Sequence, residues 1–112
     1  MQVAAPPNCE AEARGFYGRL LGLAEVAKPP ALAARGGVWF EHLHVGVEED
    51  FQAARKAHPA LDVGDPMELS ALAERLTGAG VPVTWDSEWP GVARFYTEDP
   101  WGNRLEVLAY SS

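Results

Sequence analysis

The sequence contains one cysteine, few basic residues and no long apolar run, and each shortage excludes a class of protein. Cys9 alone cannot close a disulfide within the chain, and no cysteine pair has the spacing of a structural zinc site. Nine Lys and Arg residues stand against sixteen Asp and Glu residues, and the net charge of -7 repels phosphate backbones. No apolar stretch approaches the roughly 18 residues of a membrane span. We therefore expect no nucleic-acid partner and no membrane partner.

The remaining composition is typical of one globular domain. The chain has 112 residues, of which 47% are hydrophobic and 22% are charged, which is too apolar for a disordered chain. Met1 is followed by a short apolar run that stops at Pro6 and Pro7, unlike a secretory signal. These features predict a single domain over residues 1–112 and a cytoplasmic location.

Two segments have the signals of helices. Asn8 is placed to cap a first helix that ends near Gly22. Asp65 is followed by Pro66 and Glu68, the order that favours a helix start. The second helix then buries a stripe made of Leu69, Leu72, Ala73 and Leu76.

The order of elements is repeated along the chain. Each helix is followed by a turn-rich stretch and then by β-like sequence, and each half closes on a strand with one polar residue among apolar ones, namely His44 and Glu106. We interpret this as a duplication with module one at about residues 1–47, a seam at 48–57 and module two at about 58–112. The predicted class is α+β.

Alternation along the strands predicts which side chains face away from the helices. In the first half, the pattern puts Trp39 with the apolar residues Leu43, Val45 and Val47 on the helix side. The opposite face then carries Phe40, His42, His44 and Gly46. In the second half, Leu105 and Val107 suit the helix side, so Glu106 falls on the other face. Around His58 the helix side is made of Pro59, Leu61 and Val63, so His58 also falls on the other face. If the two half-sheets curve toward each other, His44, His58 and Glu106 converge in one cleft.

Two imidazoles and one carboxylate are a common ligand set for divalent iron, manganese or zinc. His44, His58 and Glu106 supply this set from separate strands, although no local ligand motif joins them. The alternative interpretation is ordinary strand chemistry, in which the histidines are half-exposed polar residues. Glu106 lies within Leu105-Glu106-Val107-Leu108, so its carboxylate needs either solvent or a partner.

Residues 99–103, Asp-Pro-Trp-Gly-Asn, have the composition of a turn between two strands. Asp99 and Pro100 favour turn initiation, and Gly102 tolerates a positive φ. The segment predicts a hairpin, with Trp101 free to border a pocket.

Three stretches resemble the vicinal oxygen chelate superfamily, also called the glyoxalase, bleomycin resistance and dioxygenase superfamily. They are Ala13-Arg-Gly-Phe-Tyr-Gly-Arg-Leu-Leu-Gly-Leu23, His58-Pro-Ala-Leu61 and Phe95-Tyr-Thr-Glu-Asp-Pro-Trp-Gly-Asn-Arg-Leu-Glu-Val-Leu108. The resemblance implies paired βαβββ modules, each a curved mixed half-barrel, in a chain that usually forms a homodimer. It also implies a divalent metal ion, such as Fe, Mn, Ni or Zn.

The resemblance assigns the metal ligands residue by residue. Glu106 matches the last-strand ligand of the second module, His58 its first-strand ligand, and His44 the last-strand position of the first module. His42 competes with His44 for that position. The family's remaining ligand, a histidine of the first strand, would fall just before Met1, and Gln2 could at most approach from the same strand.

Two functions follow from the resemblance. The first is a metal-dependent lyase, isomerase or dioxygenase that acts on a small substrate chelated through neighbouring oxygens, in which Glu106 is also the catalytic base. The second is a metal-free protein that binds a small molecule or antibiotic between aromatic walls, for which the acidic chain favours a cationic ligand. Arg94 and Arg104 would suit an anionic substrate, or they are solvated strand charges.

Overall fold

The computed structural model describes residues 1–110 as eight strands and three α-helices. The first α-helix runs directly into a π-helical segment, Arg14–Leu20. The α-helices are α1 (Glu10–Ala13), α2 (Pro30–Ala33) and α3 (Pro66–Gly78). The strands are β1 (Gln2–Ala5), β2 (Glu25–Val26), β3 (Val38–Phe40), β4 (Leu43–Val47), β5 (Ala60–Asp62), β6 (Thr84–Asp86), β7 (Val92–Glu98) and β8 (Arg104–Tyr110).

The strands form two four-stranded sheets with the same topology. The first sheet has the order β1-β4-β3-β2 and the second the order β5-β8-β7-β6. In each sheet the first pair is parallel and the other two pairs are antiparallel. This arrangement confirms the predicted α+β class and the paired βαβββ modules. Among the described residues, no helix is long and apolar enough to cross a membrane.

Helix α3 forms as its sequence predicts. Asp65 is the N-cap, and its Oδ1 accepts a hydrogen bond from the Met67 N–H at 2.9 Å. The four predicted apolar residues, Leu69, Leu72, Ala73 and Leu76, are all buried. Helix α1 differs, because Cys9 is its N-cap and no side chain caps it. Asn8 instead takes a left-handed conformation, φ 65°, in the preceding turn, so the prediction of an Asn8 cap was wrong.

The core confirms most of the predicted strand faces and corrects two residues. Leu43, Val45, Leu105 and Val107 are buried together with the helices. Phe40 is also in this core, whereas Trp39 stacks on His44 on the opposite face. The predicted sides of Trp39 and Phe40 were therefore wrong. The cause is the turn through Glu41 and His42, which pairs Phe40 with Leu43 and so restarts the alternation.

A buried polar network joins the two halves of the chain. The Asp99 Oδ2 accepts hydrogen bonds from the Tyr17 hydroxyl at 2.7 Å and from the Asn103 amide at 2.8 Å. Asn103 also donates to the Ala4 carbonyl at 2.8 Å and accepts from the Ala54 N–H at 2.9 Å. Burial and the Asp99 carboxylate raise the pKa of Tyr17, so the phenol keeps its proton and donates it. Residues 99–103, which were predicted as a turn, thus also hold β1 and the seam against the second half of the chain through Asn103.

A carboxylate in the first turn of α1 holds the loop before β3. Glu10 Oε2 accepts a hydrogen bond from the Gly37 N–H at 2.6 Å. Gly37 has φ 86°, and a Cβ there would lie 2.2 Å from the Val45 carbonyl oxygen, so only glycine fits. The Gly37 N–H lowers the pKa of Glu10, because it stabilises the ionised carboxylate.

We expect Glu10→Gln to lower the free energy of unfolding by about 1 kcal/mol at pH 7. A carboxylate with a lowered folded-state pKa stabilises the protein above its ordinary pKa and loses this effect as the pH falls through the folded value. The difference between variant and wild type should therefore shrink below about pH 4. Urea unfolding at pH 7 and pH 3.5 measures both values. Glu12→Gln, in the same helix, is the control and should show little difference at either pH.

Candidate functional site

The two ring nitrogens of His58 have different partners. Its Nδ1 is 2.9 Å from the Lys56 carbonyl oxygen and 3.2 Å from that of Arg55. Carbonyl oxygens only accept hydrogen bonds, so Nδ1 carries the ring proton in the neutral imidazole. The Nε2 atom is then an acceptor, which is the form that binds metal ions.

Glu106 lies against this nitrogen. The residue belongs to β8 and is 8% exposed, and its Oε1 is 3.2 Å from the His58 Nε2. Ala60 is its parallel partner in β5, which brings His58, two residues earlier, beside the same strand. A neutral imidazole nitrogen and a carboxylate oxygen are both acceptors, so their contact needs a shared proton or a cation between them.

Arg94 binds the second oxygen of Glu106. Its Nη1 is 3.2 Å from Glu106 Oε2, and its Nη2 is 2.5 Å from Asp86 Oδ2. Burial lowers the pKa of Arg94, but its bonds to Glu106 and Asp86 outweigh that effect and raise it. The pKa of Asp86 is lowered by the Glu88 N–H and by Arg94. Arg94 thus spans β6 and β8 and leaves Oε1 to face His58.

Aromatic rings surround these charged groups. The Tyr96 ring lies edge-on to the His58 ring at 5.6 Å, and the Arg94 and Arg104 guanidinium carbons lie 5.5 and 4.1 Å from its centre. Trp89 contacts both Arg94 and Tyr110. Sequence reasoning did not assign Tyr96, Trp89 or Asp86 to this site. Strand pairing could have indicated Tyr96, since it is directly opposite Glu106.

The structure does not bring His44 to this pair. His44 lies on β4 in the first sheet, where its ring stacks on Trp39 at 4.0 Å. His42 lies in the turn before β4 with φ 68°, so it does not share a strand face with His44. Within residues 1–110, no three His, Cys, Asp or Glu side chains come together as a metal-binding group. One chain therefore joins two of the three predicted ligands.

The registers of the two sheets relate their positions. Gln2 pairs with His44 as Ala60 pairs with Glu106, so His44 and Glu106 occupy equivalent places. The position equivalent to His58 is two residues before Gln2 and so precedes Met1. Trp39, opposite His44, is likewise the equivalent of Tyr96.

Comparisons with known proteins agree on the family. The profile of the Glyoxalase/Bleomycin resistance protein/Dioxygenase superfamily matches residues 4–107. A glyoxalase family protein from Bacillus anthracis is 43% identical, with a TM-score of 0.90 over 98% of this chain and 91% of that one. The chain therefore belongs to the glyoxalase, bleomycin resistance and dioxygenase superfamily. No curated protein matched the sequence.

Two more distant structures share the fold. Lactoylglutathione lyase from Agrobacterium tumefaciens is 22% identical with a TM-score of 0.70, covering 97% of this chain and 91% of that one. TnmS3, an antibiotic-binding protein from Streptomyces sp. CB03234, is 21% identical with a TM-score of 0.68, covering 98% and 93%. The fold thus carries both an enzyme and a binding protein.

Members of this superfamily typically use a divalent metal ion. Among residues 1–110, His58 and Glu106 supply two donor atoms of the kinds such an ion binds, and no third His, Cys, Asp or Glu joins them. Metal bonds to imidazole nitrogen and carboxylate oxygen are about 2.0–2.2 Å long, so at angles of about 90–110° two adjacent ligand atoms lie about 2.8–3.6 Å apart. The observed 3.2 Å between Nε2 and Oε1 lies in this range. The Nδ1 contacts with backbone carbonyls and the Arg94 contact with Oε2 are the outer partners that orient such ligands.

Proposed function

We propose that the chain is a small metal-dependent enzyme, of the lyase, isomerase or dioxygenase type, acting on a substrate with two neighbouring oxygens. The observation that carries the proposal is the 3.2 Å contact between His58 Nε2 and Glu106 Oε1, which are both acceptors when the imidazole is neutral. A divalent cation would satisfy both and, when bound, would act as a Lewis acid on substrate oxygens. The free, buried Cys9 is compatible with the reducing cytoplasm.

The side chains of this site have different roles in the proposed enzyme. His58 and Glu106 would hold the metal ion, and Arg94 fixes the Glu106 carboxylate through Oε2. We propose Glu106 as the catalytic base as well, because Oε1 is the carboxylate oxygen that Arg94 does not contact and that faces His58. The Tyr96 and Trp89 rings both contact the Arg94 guanidinium and border this side of the sheet.

We propose His44 as the third ligand, supplied by a second copy of the chain. Its side chain is on the face opposite the helices, as Glu106 is, yet it does not reach the pair within one chain. The face around Arg94 also exposes 42% of Trp89 and 54% of Tyr110, an aromatic surface that a homodimer would cover.

Subunit mixing tests the shared site. We expect His44→Ala and His58→Ala homodimers each to lose high-affinity Ni²⁺ binding. After unfolding and refolding together, random pairing should restore about a quarter of the sites, because each heterodimer then has one intact site. Metal uptake measured on the mixture gives this fraction. No recovery would contradict the shared site, and His42→Ala in place of His44→Ala is the control.

The contact of Arg94 with Glu106 also favours a second candidate function. Arg94 neutralises the carboxylate without a metal ion, and Trp89, Tyr96 and Tyr110 border the same face. A metal-free protein that binds a flat small molecule between these rings would use both features. Retention of such binding in His58→Ala, together with no metal uptake by the wild type, would favour this function.

A further inference from the structure

In the described part of the chain, Arg104 is an arginine without a counter-ion beside the proposed metal site. It begins β8 two residues before Glu106, and its guanidinium stacks on the Tyr96 ring at 4.1 Å. Within residues 1–110, no carboxylate forms an ion pair with it. The two other arginines of this region differ, because Arg94 is paired with two carboxylates and Arg55 with one.

Glu98, the expected ion-pair partner of Arg104, is bound by another arginine. Glu98 is directly opposite Arg104 in the antiparallel pair of β7 and β8, where opposite charges ordinarily pair. The Glu98 carboxylate instead accepts a hydrogen bond from the Arg55 guanidinium at 2.8 Å. Arg55 also donates to the Gly102 carbonyl at 3.3 Å, which fixes it on the hairpin. Because Arg55, in the seam, takes the Glu98 carboxylate, no carboxylate of residues 1–110 pairs with Arg104.

The position of Arg104 connects it to the proposed metal site. Residues two apart on a strand project from the same face about 6.8 Å from each other, so Arg104 and Glu106 face the same space. The Tyr96 ring contacts both Arg104 and His58. Arg104 and His58 also border one opening of about 340 Å³. The Tyr96 ring therefore places the Arg104 guanidinium and the His58 imidazole against the same side chain.

We propose that Arg104 binds an anionic group of the substrate. The substrate class is then a small molecule with two neighbouring oxygens and, a few bonds away, a carboxylate or a phosphate. This inference rests on the proposed function for the position of the chelated oxygens. A guanidinium binds either anion through two parallel N–H groups, and stacking on Tyr96 fixes the plane in which they point.

Three probes with one chelating unit test this proposal. Lactate, malate and 3-phosphoglycerate share a 2-hydroxypropanoate unit, and the last two add a carboxylate or a phosphate to its third carbon. We expect the Ni²⁺-loaded wild type to bind malate or 3-phosphoglycerate at least about tenfold more tightly than lactate. The stronger of the two identifies the anion. Isothermal titration of the full chain measures the three affinities.

Variants distinguish loss of the anion site from a general loss of metal or ligand binding. Arg104→Met should abolish the preference while Ni²⁺ uptake and lactate affinity stay within about twofold, and Arg104→Lys should retain part of it. Arg55→Met should also weaken malate or 3-phosphoglycerate binding, because it frees Glu98 to pair with Arg104. The exposed Arg35, on the first half of the chain, provides the matched control Arg35→Met, which should change nothing.

The outcomes distinguish this inference from the proposed function. Equal binding of the three probes by the wild type, or an unchanged preference in Arg104→Met, would overturn the anion site. A wild type that takes up no Ni²⁺ would overturn the proposed function instead. In that case titration of the metal-free protein with 3-phosphoglycerate decides on Arg104, since binding lost in Arg104→Met supports the anion site and equal binding by both proteins refutes it.

Discussion

The variant His58→Ala is expected to bind Ni²⁺, Mn²⁺ or Zn²⁺ more than about 100-fold more weakly than the wild type. Changes to groups that only orient a metal ligand already lower affinity by about 10–100-fold, and His58 is a proposed ligand itself. Its Nε2 is the atom left free by the two carbonyl contacts of Nδ1. Isothermal titration with each metal at pH 7.5 measures the loss.

His42→Ala is the matched control for this result. His42 lies in the turn before β4, and among the described residues its side chain forms no hydrogen bond or ion pair with His58 or Glu106. Its replacement should leave metal affinity within about twofold of the wild type, since it removes an imidazole without removing a proposed ligand. Equal affinities for the wild type and His58→Ala would show that His58 holds no metal ion.

The second large effect is expected at Asn103, on stability. Asn103→Ala should lower the free energy of unfolding by about 3–4 kcal/mol, because it removes the three hydrogen bonds that the buried Asn103 side chain makes. The groups that lose a bond are the Asp99 carboxylate, the Ala54 N–H and the Ala4 carbonyl. Small domains have about 5–15 kcal/mol in total, so the variant should be marginally folded at 37 °C.

Two further variants calibrate the loss at Asn103. Tyr17→Phe removes one hydrogen bond from Asp99 while the bonds from Asn103 remain, so the expected loss is about 1–2 kcal/mol. Ser70→Ala, on the exposed face of α3, should stay within about 0.5 kcal/mol of the wild type. Urea unfolding followed by circular dichroism gives all three values. A loss below about 1 kcal/mol for Asn103→Ala would contradict the role of the network.

Much of the fold could be predicted because its signals are local. Asp65, Pro66 and Glu68 predict the start of α3. Residues 99–103 predict the hairpin between β7 and β8. Each signal acts within a few residues and so does not depend on the rest of the chain. Repetition of the same order of elements in both halves then indicated the two βαβββ modules.

The errors arose where a turn changes the alternation of a strand. The faces of Trp39 and Phe40 were predicted from an alternation that continued to Val47. The chain instead turns at Glu41 and His42, and the residues on either side of the turn become cross-strand partners. A register depends on the turn length, which the sequence of this segment does not mark with Gly, Asn or Asp.

The candidate site was only partly accessible to sequence reasoning. The alternation of side chains along the strands predicted that His58 and Glu106 share one face. In the structure, the parallel pairing of β5 with β8 brings them into contact. The bridge from Glu106 through Arg94 to Asp86 depends on the register of three strands that are distant in sequence. The position of His44 relative to that pair depends on how whole sheets are arranged, which alternation along one strand cannot specify.

Metal content tests the central claim most directly. The untagged wild type should be loaded with Ni²⁺ or Mn²⁺, desalted and analysed for bound metal per chain beside His58→Ala and Glu106→Gln. The proposed function predicts about one ion per wild-type chain and almost none in either variant, because each variant lacks a proposed ligand. A wild type that holds no more metal than the two variants would contradict a metal site at His58 and Glu106.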